Sequence, residues 1–119
     1  MDPKYIDVPN ICFSLTEKDD DREPKFAKQR EERGFDDSET WSLGDTIARF
    51  IIPRLERYMA IAEKEIAPEE PFLTDCKEFL EAMKLFCRDN GTRIYTPEEQ
   101  EIVDLGISKF SSIIWGLWW

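Results

Sequence analysis

The stretch Glu39-Thr-Trp-Ser-Leu-Gly-Asp-Thr-Ile-Ala-Arg-Phe-Ile-Ile-Pro-Arg-Leu-Glu-Arg-Tyr58 decides how the rest of the chain is read. Apolar residues fall at Leu43, Ile47, Phe50, Ile51, Leu55, Tyr58 and Met59, three and four apart, which is the spacing of one helix face. Ser42 and Asp45 stand at its start in the pattern of a capping box, Asp replacing the usual Glu. Pro53 lies in the middle, where it removes a backbone donor and collides with the carbonyl four residues back. A helix over 42–65, kinked near Arg49–Ile52, is therefore expected, with Ala67-Pro-Glu-Glu-Pro71 ending it.

On the C-terminal side, Thr74 is placed to cap a second main helix over 74–89, with Cys76, Phe79, Leu80, Met83, Phe86 and Cys87 on one face. Asn90 or Gly91 would take the left-handed closing position. Thr96-Pro97-Glu98-Glu99 combines a cap, a proline at the first helical position and a glutamate at the third. The helix it opens, over 97–118, would bury Ile102, Val103, Gly106, Ile107, Phe110, Ile113, Ile114 and Leu117, returning roughly antiparallel to its predecessor.

On the N-terminal side, Gly34-Phe-Asp-Asp-Ser38 reads as a turn in which Asp36, Asp37 or Ser38 caps a short helical turn to Trp41. Residues 16–33 are nearly all charged, with only Phe26 and Ala27 apolar. Pro24 can open a short helix there, ending at Gly34. That segment reads as solvated and marginally helical, the alternative being an arm that orders on a partner. Pro3 and Pro9 break any helix before it, so residues 1–15 are expected to form an extended arm laying Tyr5, Ile6, Val8, Ile11, Cys12 and Phe13 on the body. The expected architecture is all-α: a small bundle of three main helices over 34–119, preceded by an arm and a charged, partly ordered segment over 1–33.

Composition narrows the function classes. The 119 residues support one modest core, and 41% hydrophobic and 13% aromatic content belong to a folded chain. Lys and Arg number 16 against 26 Asp and Glu, a net charge of −10 that repels phosphate backbones, so direct nucleic-acid binding is not expected. The absence of histidine removes the usual neutral-pH acid-base group and the commonest metal ligand. Cys12, Cys76 and Cys87 are spaced for neither a metal knuckle nor a redox pair, which points to reduced thiols in the cytoplasm, with Cys76 and Cys87 as core groups. Met1-Asp-Pro-Lys-Tyr5 lacks the layout of a secretion signal, and the apolar runs fall short of a membrane span.

Sites of chemistry are sparse. Nucleophilic catalysis lacks its histidine base, no glycine-rich phosphate loop occurs, and no catalytic residue, metal site or cofactor is expected. Glu78-x-x-Glu81 with Glu101-x-x-Asp104 resembles the magnesium-binding carboxylates of all-α nucleotide pyrophosphohydrolases of the MazG type. That family doubles the first glutamate, where Lys77 stands here, and Glu78 and Glu81 lie off the apolar stripe, facing water. Arg49, Arg54 and Arg57 around Pro53, with Trp41 and Tyr58, form a candidate anion or partner site; the plainer alternative pairs the arginines with Glu56, Asp45 or the 36–39 turn. Trp115, Trp118 and Trp119 extend past the stripe the core needs. They either close the bundle against Trp41 or the arm, or form an exposed interface; a membrane-surface role lacks the flanking cations.

From Gly34-Phe-Asp-Asp37 through Thr40-Trp-Ser-Leu43 and Ala48-Arg-Phe-Ile-Ile-Pro-Arg-Leu55 to Arg57, the chain resembles a family of small uncharacterised proteins of tailed bacteriophages and prophages. The resemblance covers roughly 33–64, with the aromatic last helix matching loosely, and carries no established activity. It implies a phage-encoded accessory protein in the cytoplasm of the infected host. The leading expectation is a non-enzymatic interaction or anti-defence protein that binds a host or defence protein through an acidic or aromatic surface and self-associates. The alternatives are a nucleotide-like-anion sponge using Arg49, Arg54 and Arg57, and the pyrophosphohydrolase.

Overall fold

The computed structural model describes residues 13–119, and the expectations for residues 1–12, Cys12 included, lie outside the described residues. The chain is all-α, with no strand among the described residues. Four helices carry it: α1 (Glu23–Arg33), α2 (Leu43–Glu65), α3 (Glu70–Phe86) and α4 (Pro97–Ser108), with a single turn, α5 (Phe110–Ile113), after them. Tight 3₁₀ turns at Asp37–Thr40, Arg88–Gly91 and Ile114–Gly116 join or close these elements. Two compact units result, one ending at Phe50 and the other beginning at Ile51. The division falls inside α2, just before Pro53, whose ring nitrogen supplies no hydrogen to the Arg49 carbonyl.

Local signals explain most of the helix ends. Pro24 lies in the first turn of α1, and Gly34 closes that helix at φ 86°, its N–H bonded to the Arg30 carbonyl at 2.8 Å. Asp36 caps the Asp37–Thr40 turn in a full capping box with Glu39, and Thr96 does the same for α4 with Glu99. At the head of α2, Ser42 donates its hydroxyl to the Asp45 carboxylate at 2.6 Å, and the Ser42 carbonyl accepts from Asp45 and Thr46.

Three boundaries differ from the sequence reading. Helix α3 begins at Glu70, four residues before the expected Thr74 cap, because Pro71 sits in its first turn, where no N–H is required. It also stops at Phe86, and the chain turns through left-handed Asp89 (φ 51°) and Gly91 (φ 77°). The last helix does not run unbroken from 97 to 118. Lys109 interrupts it, its N–H bonding three residues back to the Gly106 carbonyl at 3.0 Å and its ammonium pairing with Asp75 (3.3 Å) and Glu78 (3.6 Å) on α3.

Within the C-terminal unit, α3 and α4 are antiparallel. Arg88 pairs with Glu99, Gly106 lies on Ala82, and Lys109 reaches Asp75, so numbers fall along α3 as they rise along α4. The crossing is close: a Cβ on Gly106 would lie 2.3 Å from the Ala82 Cβ and 2.4 Å from the Glu78 carbonyl oxygen. Leu55, Met59 and Ala62 of α2, Leu73, Cys76, Phe79, Ala82 and Met83 of α3, Val103 of α4 and Ile113 of α5 are the buried apolar groups of this unit. Phe110 and Ile114, expected inside, are exposed, because the break at Lys109 takes the chain off a single helical repeat; Ile107, also expected inside, is exposed on α4 before that break. Leu43, Ile47 and Phe50 of α2 are likewise exposed, while Ala48 is buried.

Candidate functional site

The C-terminal segment presents an aromatic-rich surface without charged side chains. Lys109 is the last residue with an ionisable side chain, and Phe110–Trp119 adds only serines, glycine, aliphatic and aromatic groups. Trp115, Trp118 and Trp119 are 86%, 64% and 62% exposed, with Phe110 and Ile114 also open to solvent. This display is anchored. The Tyr58 hydroxyl lies 2.9 Å from the Gly116 carbonyl oxygen and 3.0 Å from that of Trp118, a donor shared between two acceptors. Burial, together with the nearby Cys76, raises the Tyr58 phenol above its ordinary pKa against the opposing backbone bond, so it stays protonated as a donor.

The arginine region places its five expected members in separate roles. Arg49, half-buried, donates to the Phe13 carbonyl at 2.9 Å, with its guanidinium 5.7 Å from the Phe13 ring centre. Glu56, one of its expected partners, pairs with Lys84 at 3.7 Å. Arg54 and Arg57 are exposed. Trp41, half exposed, meets the edge of Phe26 (5.9 Å between ring centres) and carries the Arg22 guanidinium 4.8 Å from its own ring centre. Tyr58 holds the C-terminal turn. The N-terminal unit thus contains Trp41 and Arg49, and the C-terminal unit contains Arg54, Arg57 and Tyr58.

The residues that sequence reasoning missed lie in the supposedly solvated segment. Arg30 is fully buried in α1, donating to Glu23 one side of its guanidinium and to Asp36 and Ser14 (3.3 Å) the other. Asp36 also accepts the Ser38 N–H at 2.8 Å and its hydroxyl. Glu39 accepts the Asp36 N–H at 2.8 Å and the Phe13 N–H at 3.3 Å, while Ser38 Oγ accepts the Leu15 N–H at 2.8 Å. The start of the described chain is therefore stitched to the 36–39 turn. Burial pushes the Asp36 carboxyl up, but bonds from Ser14, Ser38 and Arg30 outweigh it and hold the pKa below the ordinary carboxylate value. Burial also works against the Arg30 charge, and Glu23 and Asp36 more than restore it. The available sequence signal was the seven-residue spacing of Glu23 and Arg30, two helical turns on one face; nothing local marks either as buried.

Glu78, expected to face water, is half-buried and pairs with the Lys109 ammonium at 3.6 Å. Glu81, Glu101 and Asp104 are exposed, and Gln100 donates to Asp104 at 3.0 Å. No group of three metal-ligating side chains occurs among the described residues. Cys76 is fully buried, its thiol pushed up to about 11 by burial and by the Asp75 charge, so almost no nucleophilic thiolate is present at neutral pH. Cys87 is half-buried at the end of α3. No helix among the described residues is long and apolar enough to cross a membrane. No protein-family model, curated protein or solved structure matches this chain.

Proposed function

We propose that this chain is a non-enzymatic interaction protein that self-associates through its C-terminal aromatic surface. The observation that carries the reading is the exposure of Trp115, Trp118 and Trp119 on an anchored turn. Indole rings are the side chains that most often dominate binding energy, and water-exposed tryptophans in this number seldom serve a core. Charge favours a second copy as the occupant. In a chain of net charge −10, the Phe110–Trp119 segment lets two copies meet without side-chain carboxylates opposed across the contact.

The resemblance of residues 33–64 to phage proteins extends the reading. The self-associated protein would be a phage-encoded accessory or anti-defence factor in the host cytoplasm, with its acidic remainder meeting a basic face on a host or defence protein. The anion-sponge alternative gains nothing from the geometry, because the Tyr58 hydroxyl and the Arg49 guanidinium are already engaged. Sedimentation equilibrium over a range of concentrations tests the proposal. Replacing Trp115 and Trp118 together by alanine should weaken self-association by roughly thirtyfold or more, the loss of about 2 kcal/mol that one interface hot spot carries. A wild-type chain that stays monomeric at every concentration overturns the reading.

A further inference from the structure

We infer that Tyr58, Phe72 and Gly116 form a fixed cradle for the C-terminal tryptophans, Tyr58 acting as the positioning residue of the interface. The inference rests on the reading of this surface as a self-association site. A short segment past a helical turn is ordered only where something ties it down. Here Leu117 takes φ −79° and ψ 69°, and the Trp118 N–H bonds to the Gly116 carbonyl at 2.8 Å. Those values are an inverse γ-turn, which reverses the chain within three residues.

A single short-range bond does not hold such a turn, and the remaining constraints come from far along the sequence. The Tyr58 hydroxyl ties both carbonyls that flank Leu117, across 58 and 60 residues. From the other side, Gly116 rests on the Phe72 ring so closely that a Cβ there would lie 2.7 Å from it. A side chain at 116 would force the Phe72 ring or the turn to shift. The result is three indoles carried on a turn whose two peptide oxygens are fixed from α2 and whose backbone is seated on α3. A backbone already held in place loses less entropy when a partner arrives, so the cradle raises the affinity of the surface it carries.

Tyr58→Phe and Gly116→Ala in the full chain, beside the Trp115/Trp118 double alanine variant, separate the inference from the reading it rests on. Tyr58→Phe keeps the ring and removes only the hydroxyl. We expect it to weaken self-association about tenfold, as loss of one well-placed hydrogen-bond donor does. It should also flatten the indole fine structure of the near-ultraviolet circular dichroism, with helix content and melting temperature close to wild type. Gly116→Ala should do the same by lifting the turn from Phe72. A purely structural role for Tyr58 would instead lower the melting temperature and leave the indole signal of the folded protein intact, and that result overturns the inference. Tyr58→Phe chains that associate like wild type, while the tryptophan variant does not, overturn the inference and leave the reading standing. If the wild-type chain is monomeric the reading falls. The indole signal then decides the cradle alone: lost in Tyr58→Phe it stands, unchanged it fails.

Discussion

Each of the two units of this chain has its own kind of interior, and the two kinds are opposite. The N-terminal unit buries Thr16, Arg30, Asp36, Ser38 and Glu39, with only Phe26 and Ala48 as buried apolar side chains among its described residues. The C-terminal unit buries aliphatic, aromatic and thiol groups and, among the described residues, no polar side chain. One is a hydrogen-bonded network around a single guanidinium; the other is a conventional core between helices. The difference matters because the two respond differently to damage. A network around a buried charge fails when any one partner is removed, since the remaining charge is left without compensation. An apolar core loses stability in proportion to the atoms and space involved.

The largest effect should therefore come from the network. Asp36→Ala leaves Arg30 buried with Glu23 as its one remaining carboxylate partner and is expected to cost about 3–5 kcal/mol, read as loss of hydrogen-exchange protection in α1 and the 36–39 turn. Protection persisting in α3 and α4 of that variant would show the units to be energetically separate; loss throughout would break the comparison. Acid makes the same test reversibly. The folded pKa of Asp36 lies below its unfolded value, so its contribution is full above the unfolded carboxylate pKa and disappears as pH falls through the depressed folded value. Glu99, in the other unit, is also held low, to about 2, by Arg88 and by the Thr96 N–H, but at the surface. Added salt should mask the acid response at Glu99 and spare that at buried Asp36, which sharpens the distinction.

A smaller effect is expected from overpacking the core. Gly106→Ala drives a methyl into the Ala82 side chain and the Glu78 carbonyl, and should cost roughly 1–3 kcal/mol, toward the upper end because a backbone atom cannot swing aside. Thermal melting of the full chain checks it, and a neutral result would mean that α3 and α4 separate more readily than their crossing implies. The smallest change is Thr96→Ala, which removes the α4 cap at a cost of about 1 kcal/mol and should leave the N-terminal network's exchange rates unchanged.

How far the sequence could be read follows the same division. The α3 stripe of Cys76, Phe79 and Met83 and the α2 positions Leu55 and Met59 were legible because an apolar core writes its period into the chain. Arg30 was not, because charged residues in a polar run look alike whether they face water or one another. The exposed Leu43, Ile47 and Phe50 show the converse error. Their helical spacing is real, yet periodicity says only that a face is apolar, not that anything covers it. The candidate site divides likewise. The three tryptophans were visible as an excess over what the core needs, whereas Tyr58 reads as part of the arginine region, because its acceptors lie 58 and 60 residues away.

By itself the sequence determined the helical class and several helix ends, above all the Thr96-Pro97-Glu98-Glu99 start of α4 and the Gly34 stop of α1. Caps and left-handed closures depend on neighbours a few residues away, so a short window contains their whole physical cause. Only the tertiary structure decided which charges are buried and which aromatic rings stand in water. Those outcomes depend on partners such as Ser14 for Arg30, 16 residues off, and Gly116 for Tyr58, 58 residues off. Burial is a property of what the folded chain brings alongside a group, and no local pattern contains it.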